Sequence, residues 1–269
     1  GLLLALNLAL AATAERAGIS QAMVARISLC SAGVWWALFT IPVVAVLRNR
    51  GAVRILPAGH SAIGFAFRQL GHTLRDMRRY PETMKFLIAY LLYNDAIQTV
   101  LAQAGVFATE ELKMPLSSLA LSVLLSQIVG IFGATGFNQL ARWSTAKRAV
   151  AASVVAWTAV LVYTYLAVTT ALQFFILAGL VGLVMGGSQA LSRSIFAQLV
   201  PHGKEAEYFG IYEISDKGTS WLGPIVFGLA YQFTMHYRAA LLSLIVFFAA
   251  GLAVLVRVNV EQGERDIAQ

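Results

Sequence analysis

Residues 149–192 read AVAASVVAWTAVLVYTYLAVTTALQFFILAGLVGLVMGGSQALS and contain no Asp, Glu, Lys or Arg. A helix crosses a bilayer with about 20 mostly apolar residues, so this run is too long for one crossing. Its most polar interior point is Thr169-Thr170 with Gln173, and the run divides there into two helices joined by a tight turn. The same reading extends outward. Ile27–Leu47, Pro115–Ala141, Gly218–Tyr237 and Ala239–Val256 are also uncharged, and Phe86–Thr109 carries only Asp95. A water-soluble core does not need so many runs of that length. The chain reads as an all-α, multi-pass membrane protein in contact with the lipid bilayer.

Composition agrees. Hydrophobic residues make up 58% of the chain and charged residues only 12%, with a mean hydropathy of +0.71, above the ordinary globular range. The net charge of +7 has a topological origin. Alternating spans put sixteen Lys and Arg on one side, including eight in Arg48–Lys85, and leave only Arg16, Arg26, Lys113 and Arg238 on the other. The positive-inside rule makes the richer side cytoplasmic, so the linker and C-terminus are expected there, with no nucleic-acid partner. The lone Cys30 excludes an internal disulfide.

The expected organisation is residues 1–47 as the end of an N-terminal bundle, 48–85 as a basic cytoplasmic linker, 86–257 as a six-helix C-terminal bundle, and 258–269 as a cytoplasmic tail. Seven full spans follow a short apolar piece, Gly1–Ala14, read as a span cut by the start of the fragment; the alternative is the end of a signal peptide. Pro42 is an expected local kink. Within the linker, Ile63, Phe67, Leu70, Leu74 and Met77 recur at helical spacing, with Arg68, His72, Arg75 and Arg79 mostly off that stripe. That pattern is an amphipathic helix, serving either as a connector between bundles or as a membrane-surface element.

Few groups inside the spans could carry chemistry. Asp95 lies ten residues beyond Lys85, about 15 Å at 1.5 Å per residue and so near mid-membrane. A carboxylate at that depth costs several kcal/mol unless protonated, paired or wetted. Asn94 and Gln98 share its helix, and Gln98 shares its face. Ser188, Gln189 and Ser192 form a second polar cluster, Gln127 a third candidate, and Asp216 and Lys217 a fourth. Lys217 either pairs with Asp95 across a cavity or pairs with Glu213 and snorkels outward. The two triplets of spans each begin with a polar helix, as internal repeats in carriers do. Gly182, Gly186 and Gly187 are close-packing or hinge candidates, Gly223-Pro224 a helix bend, and Arg193 a snorkelling or gating cation. The four His lie in loops or at span ends, and there is no HExxH, CxxC or Walker pattern. No catalytic residues, metal site or cofactor are expected.

Three segments carry a family resemblance: FLIAYLLYNDAIQT at Phe86–Thr99, GLVMGGSQALSRSIFAQLVP at Gly182–Pro201, and EAEYFGIYEISDKGTSWLGPIVFG at Glu205–Gly228, with RRYPETMKF closing the linker. They resemble the major facilitator superfamily, in the branch of the autophagy-linked vacuolar amino-acid effluxer and its bacterial permease relatives. The resemblance implies a transporter lacking about its first four helices, with the helices beginning at Phe86, Leu116, Leu172 and Phe209 lining a central cavity. The loop Asn138–Arg148 departs from the superfamily's G-x-L-A-D-R-x-G-x-K-R pattern, with Asn138, Arg142 and Thr145 replacing two Gly and the Asp.

The expected function is a secondary transporter, not an enzyme, moving a small polar solute by alternating access. The resemblance adds amino acids as solute, efflux as direction, a bacterial inner membrane as location and a monomer as the full-length state. Proton coupling through Asp95 is the expected energy source. A membrane-embedded enzyme of lipid metabolism and a non-transporting receptor or scaffold are the alternative classes.

Overall fold

The computed structural model describes residues 1–14, 18–46, 62–217 and 221–268; among residues inside helices, the side chains of Gln21, Ala62, Ile63, Ala66, Ser215, Asp216, Lys217 and Ala268 are not described. The chain divides into two compact units, Gly1–Phe65 and Ala66–Gln269. All regular structure in the described residues is helical.

The first unit is a pair of helices, α1 (Leu2–Ala14) and α2 (Gln21–Val46). Asn7 and Ser31 join them through reciprocal side-chain hydrogen bonds of 3.1 and 3.2 Å. Helix α2 is apolar around its circumference and widely exposed, with Trp36 and Val46 each 77% accessible. Such a surface is the expected one where the solvent is hydrocarbon. Pro42 lies within this helix.

The second unit begins with α3 (Ala62–Met77), which enters it at Ala66, and continues through α4 (Pro81–Val106), α5 (Leu116–Trp143), α6 (Ala146–Ala167), α7 (Ala171–Gln198), α8 (Glu205–Lys217), α9 (Leu222–Thr234), α10 (Tyr237–Ser243), α11 (Ile245–Val256) and α12 (Val260–Ala268). The break in the long apolar run is a capping box. Thr170 accepts from Gln173 N–H at 3.4 Å, and the Gln173 side chain reaches back to Thr170 N–H at 3.0 Å. Two orphan donors at the start of α7 are satisfied where lipid offers no replacement acceptor.

Among the described residues, five helices or helical stretches are long and apolar enough to span a bilayer: α2, α5, α6, α7 and Tyr237–Val256. The sequence pattern predicts seven; α4 falls outside this set for a physical reason, and the seventh span includes residues outside the described ones. Helix α4 carries buried polar groups, Asn94, Asp95 and Thr99, because it faces protein rather than lipid. The expected span Phe209–Phe233 occurs as two helical segments, α8 and α9, on either side of residues 218–220, which lie outside the described residues.

Helices α5 and α7 approach most closely, and glycines allow it. A Cβ on Gly182 would overlap the Ser126 carbonyl, one on Gly186 the Gly130 carbonyl, and one on Gly133 the backbone of Leu183. Ser126 Oγ donates to the Ala178 carbonyl at 2.8 Å across the same seam. The sequence marks the α7 glycines; their partners Gly130 and Gly133 emerge only from the packing. Helix α11 lies on α4 through Gly251, and the Trp157 and Phe248 rings stack at 6.0 Å.

Helix ends on the basic side are tied by side chains. Lys147 donates to the Val256 carbonyl at 2.8 Å and Lys85 to the Arg257 carbonyl at 3.5 Å, cations placed at the negative end of α11. Glu82 accepts from Asn259 N–H at 2.7 Å just before α12. Helix α3 is held to this end of the bundle by Asp76, which pairs with Lys204 at 2.5 Å and accepts from Tyr208 at 3.1 Å, and by Thr73, which donates to Glu207 at 3.0 Å.

Two outcomes are expected. Gly182→Val or Gly186→Val wedges α5 from α7 and costs about 1–3 kcal/mol, whereas Gly179→Ala, whose Cβ meets open space, is tolerated; thermal unfolding in detergent separates them. The hydrogen bond from Lys204 holds the Asp76 carboxyl below the ordinary aspartate range, against the opposing effect of burial. A carboxyl lowered on folding contributes stability above its unfolded pKa, about 3.9, and loses it as pH falls through the folded value. The protection of α3 amides from hydrogen exchange, taken relative to the intrinsic rate at each pH, therefore falls as pH drops below about 4, and Asp76→Asn removes that dependence.

Candidate functional site

The site is built around the first turn of α9. Its first intrahelical bond is Ile225 N–H to the Trp221 carbonyl at 3.1 Å. The N–H groups of Leu222 and Gly223 have no partner within their own helix, and Pro224 has no N–H to offer. Helix α4 supplies the missing acceptor. Asp95 Oδ2 accepts from Gly223 N–H at 2.5 Å, so a carboxylate meets the positive end of a helix. Gly223 is required for this approach, because a Cβ there would overlap Thr99 Oγ1 and sit 3.1 Å from Asp95 Oδ2.

Asp95 is 1% exposed. Its second oxygen, Oδ1, is buried and has no hydrogen-bond partner among the described residues. Helix α4 is continuous from Pro81 to Val106, so the ten-residue separation from Lys85 does correspond to about 15 Å. Asn94 is buried and Gln98 half-buried on the same helix. Asp216 and Lys217 close α8, but their side chains lie outside the described residues. The other partner considered for Lys217, Glu213, is paired with Arg193 of α7. Arg193, read from sequence as a snorkelling cation, thus ties α7 to α8, and its guanidinium lies 5.9 Å from the Tyr212 ring centroid.

Ser188 and Ser192 belong to a different constellation. Tyr93 hydroxyl lies 2.6 Å from Ser192 Oγ, Ser192 Oγ donates to the Ser188 carbonyl at 2.5 Å, Trp157 Nε1 donates to Ser188 Oγ at 3.5 Å, and Ser188 Oγ donates to the Met185 carbonyl at 3.1 Å. Each serine hydroxyl has both a donor and an acceptor role, and all four residues are buried. This seam joins α4, α6 and α7 through a satisfied polar network. Tyr93 and Trp157 escape sequence reasoning because each has a large apolar body, and only packing reveals where its polar tip goes.

Gln127 and Gln189 come together elsewhere. They line a cavity of about 580 Å³ between the second half of α4, the end of α6, and residues 119–130 of α5 and 174–189 of α7. Ser122, Ser126 and Thr164 add hydroxyls, Gly182 and Gly186 contribute to the wall, and the remaining surface is mostly aliphatic. Among the described residues, no Asp, Glu, Lys, Arg or His lines it. The cavity lies toward the ends of α4 and α5 remote from Lys85. Asp95, Ser188 and Ser192 are not on its wall, so the structure separates the carboxylate from the two glutamines. The described residues contain no group of His, Cys, Asp and Glu able to hold a metal ion.

A family model described as vacuole effluxer Atg22 like matches residues 1–268. The chain is 34% identical over 260 residues to the MFS-type transporter YxiO of Bacillus subtilis (strain 168), covering 97% of this chain and 59% of that protein. It is 32% identical to autophagy-related protein 22-1 of Penicillium rubens, covering 90% of this chain and 44% of that protein. Autophagy-related protein 22 of Yarrowia lipolytica is 30% identical over a comparable share. The chain therefore spans about half the length of the curated relatives it matches. A buried acid at the start of α9, glycine-sealed helices and a match along almost every residue converge: the chain belongs to the family described as vacuole effluxer Atg22 like, a branch of the major facilitator superfamily.

Proposed function

We propose that this chain is part of a secondary transporter that moves a small polar solute by alternating access and is energised by protons at Asp95. One observation carries the reading: a buried mid-span carboxylate has one oxygen on the Gly223 N–H and the other without a partner among the described residues. A purely structural cap needs no second oxygen left bare, since an unpaired buried acceptor costs about 1–3 kcal/mol. A proton on Oδ1 removes the charge and weakens the hold on α9, which couples protonation to movement of a half-helix. Lys217, at the end of α8, is the proposed counter-charge.

Gln127 and Gln189 are the proposed solute contacts, since amides offer both donors and acceptors to a polar solute while the aliphatic wall accepts its carbon skeleton. Asn94, Gln98 and Asp216 are proposed to extend the proton path. Amino acids as solute, efflux as direction, a bacterial inner membrane as location, and a cytoplasmic linker and C-terminus complete the proposal. The name of the matched family and the many Lys and Arg on one side support it. A transporter needs no catalytic residues, and none are assigned.

The test is transport by the full-length protein in liposomes against an amino-acid panel, with and without a pH gradient. Gradient-driven flux falls at least about tenfold in Asp95→Asn, equivalent to about 1.4 kcal/mol, while unfolding temperature changes little. Lys217→Met loses flux on its own, and Asp95→Asn/Lys217→Met regains part of it. Equal flux with and without the gradient removes proton coupling; a double variant no better than either single removes the Lys217 pair.

A further inference from the structure

The apolar stripe of α3 is divided in the fold. Leu70 packs against the bundle core and Met77 is fully buried, while Phe67 and Leu74 are exposed at 71% and 42%. Thr73 and Asp76 complete the inward side through Glu207, Lys204 and Tyr208. The outward side carries Phe67, Arg68, His72, Leu74 and Arg75, followed by exposed Arg78 and Arg79. Asp76 is the only acid of the helix, and it is engaged by Lys204. The free face is therefore cationic and apolar together.

Its position is fixed by two neighbours. Only residues 78–80 separate α3 from α4, a reach of at most about 10 Å. The contacts of Thr73 and Asp76 hold it beside the first turn of α8. Lys85, the last charge before the apolar part of α4, lies four residues past Pro81, about 6 Å along the helix. Helix α3 is thus placed at headgroup depth, where acyl chains and phosphates are both within reach.

We propose that the outward face of α3 binds anionic phospholipid headgroups of the adjacent leaflet. The phosphates pair with Arg68, Arg75, Arg78 and Arg79, and Phe67 and Leu74 enter the acyl boundary. Charge complementarity selects this occupant: an uncharged partner would leave the arginines unmatched, and a soluble acidic one would leave Phe67 in water. The proposal does not depend on Asp95 or on any solute.

The test uses the full-length protein in a cysteine-free background with an environment-sensitive fluorophore on Phe67→Cys. It is reconstituted in phosphatidylcholine vesicles with brominated acyl chains, with and without phosphatidylglycerol. The probe is expected to be quenched and blue-shifted, more so with phosphatidylglycerol, and a probe on Leu74→Cys behaves alike. Arg75→Gln/Arg79→Gln lowers the preference for phosphatidylglycerol about tenfold. A probe that reports water in both vesicles overturns the proposal. So does one that is shielded equally with and without phosphatidylglycerol, which would mean that anionic headgroups are not what this face binds.

Discussion

Hydrocarbon supplies no acceptor to a backbone N–H that its own helix leaves unpaired, and each such group costs several kcal/mol. The first turn of α9 has donors of this kind within an apolar stretch. The Asp95 carboxylate takes the one on Gly223. That single bond accounts for the buried acid on α4, for glycine at 223 and for the attachment of α9 to α4. It also leaves the charge of Asp95 balanced by little more than a partial positive charge at a helix end. The arrangement is stable in one protonation state and weakened in the other.

The surroundings show how the remaining polar groups are kept from competing. Tyr93, Ser192, Ser188 and Trp157 form a closed chain of donors and acceptors. Glu213 is engaged by Arg193 and Asp76 by Lys204. The α5–α7 seam is nearly free of side-chain volume at Gly133, Gly182 and Gly186, which gives two helices a rigid common wall on one side of the cavity. Packing in lipid rests on such close approach because apolar burial alone provides little drive.

Much of this was legible in the sequence, for reasons that differ by residue. The absence of charge over Ala149–Ser192 located two helices, and Thr169-Thr170 with Gln173 marked the turn as the most polar point of the run, where the structure places a capping box. Asp95 stood out because an acid at mid-span is rare and costly. Residues whose roles depend on distant partners were not legible: Gly130 and Gly133 look like ordinary small residues, and Tyr93 and Trp157 like core aromatics. The grouping of Gln189 with Ser188 and Ser192 followed sequence proximity. On the helix surface Gln189 turns instead to the cavity that Gln127 lines, while the serines turn to α4 and α6.

The central claim is that the Asp95 carboxyl changes protonation state during the working cycle. Infrared difference spectroscopy on the full-length protein in lipid reads this directly, through the C=O stretch of a protonated carboxyl. The account predicts a band that appears and disappears between acidic and alkaline conditions, shifts when solute is added, and is missing from Asp95→Asn. A difference spectrum in which Asp95→Asn matches the parent protein at every pH would contradict it.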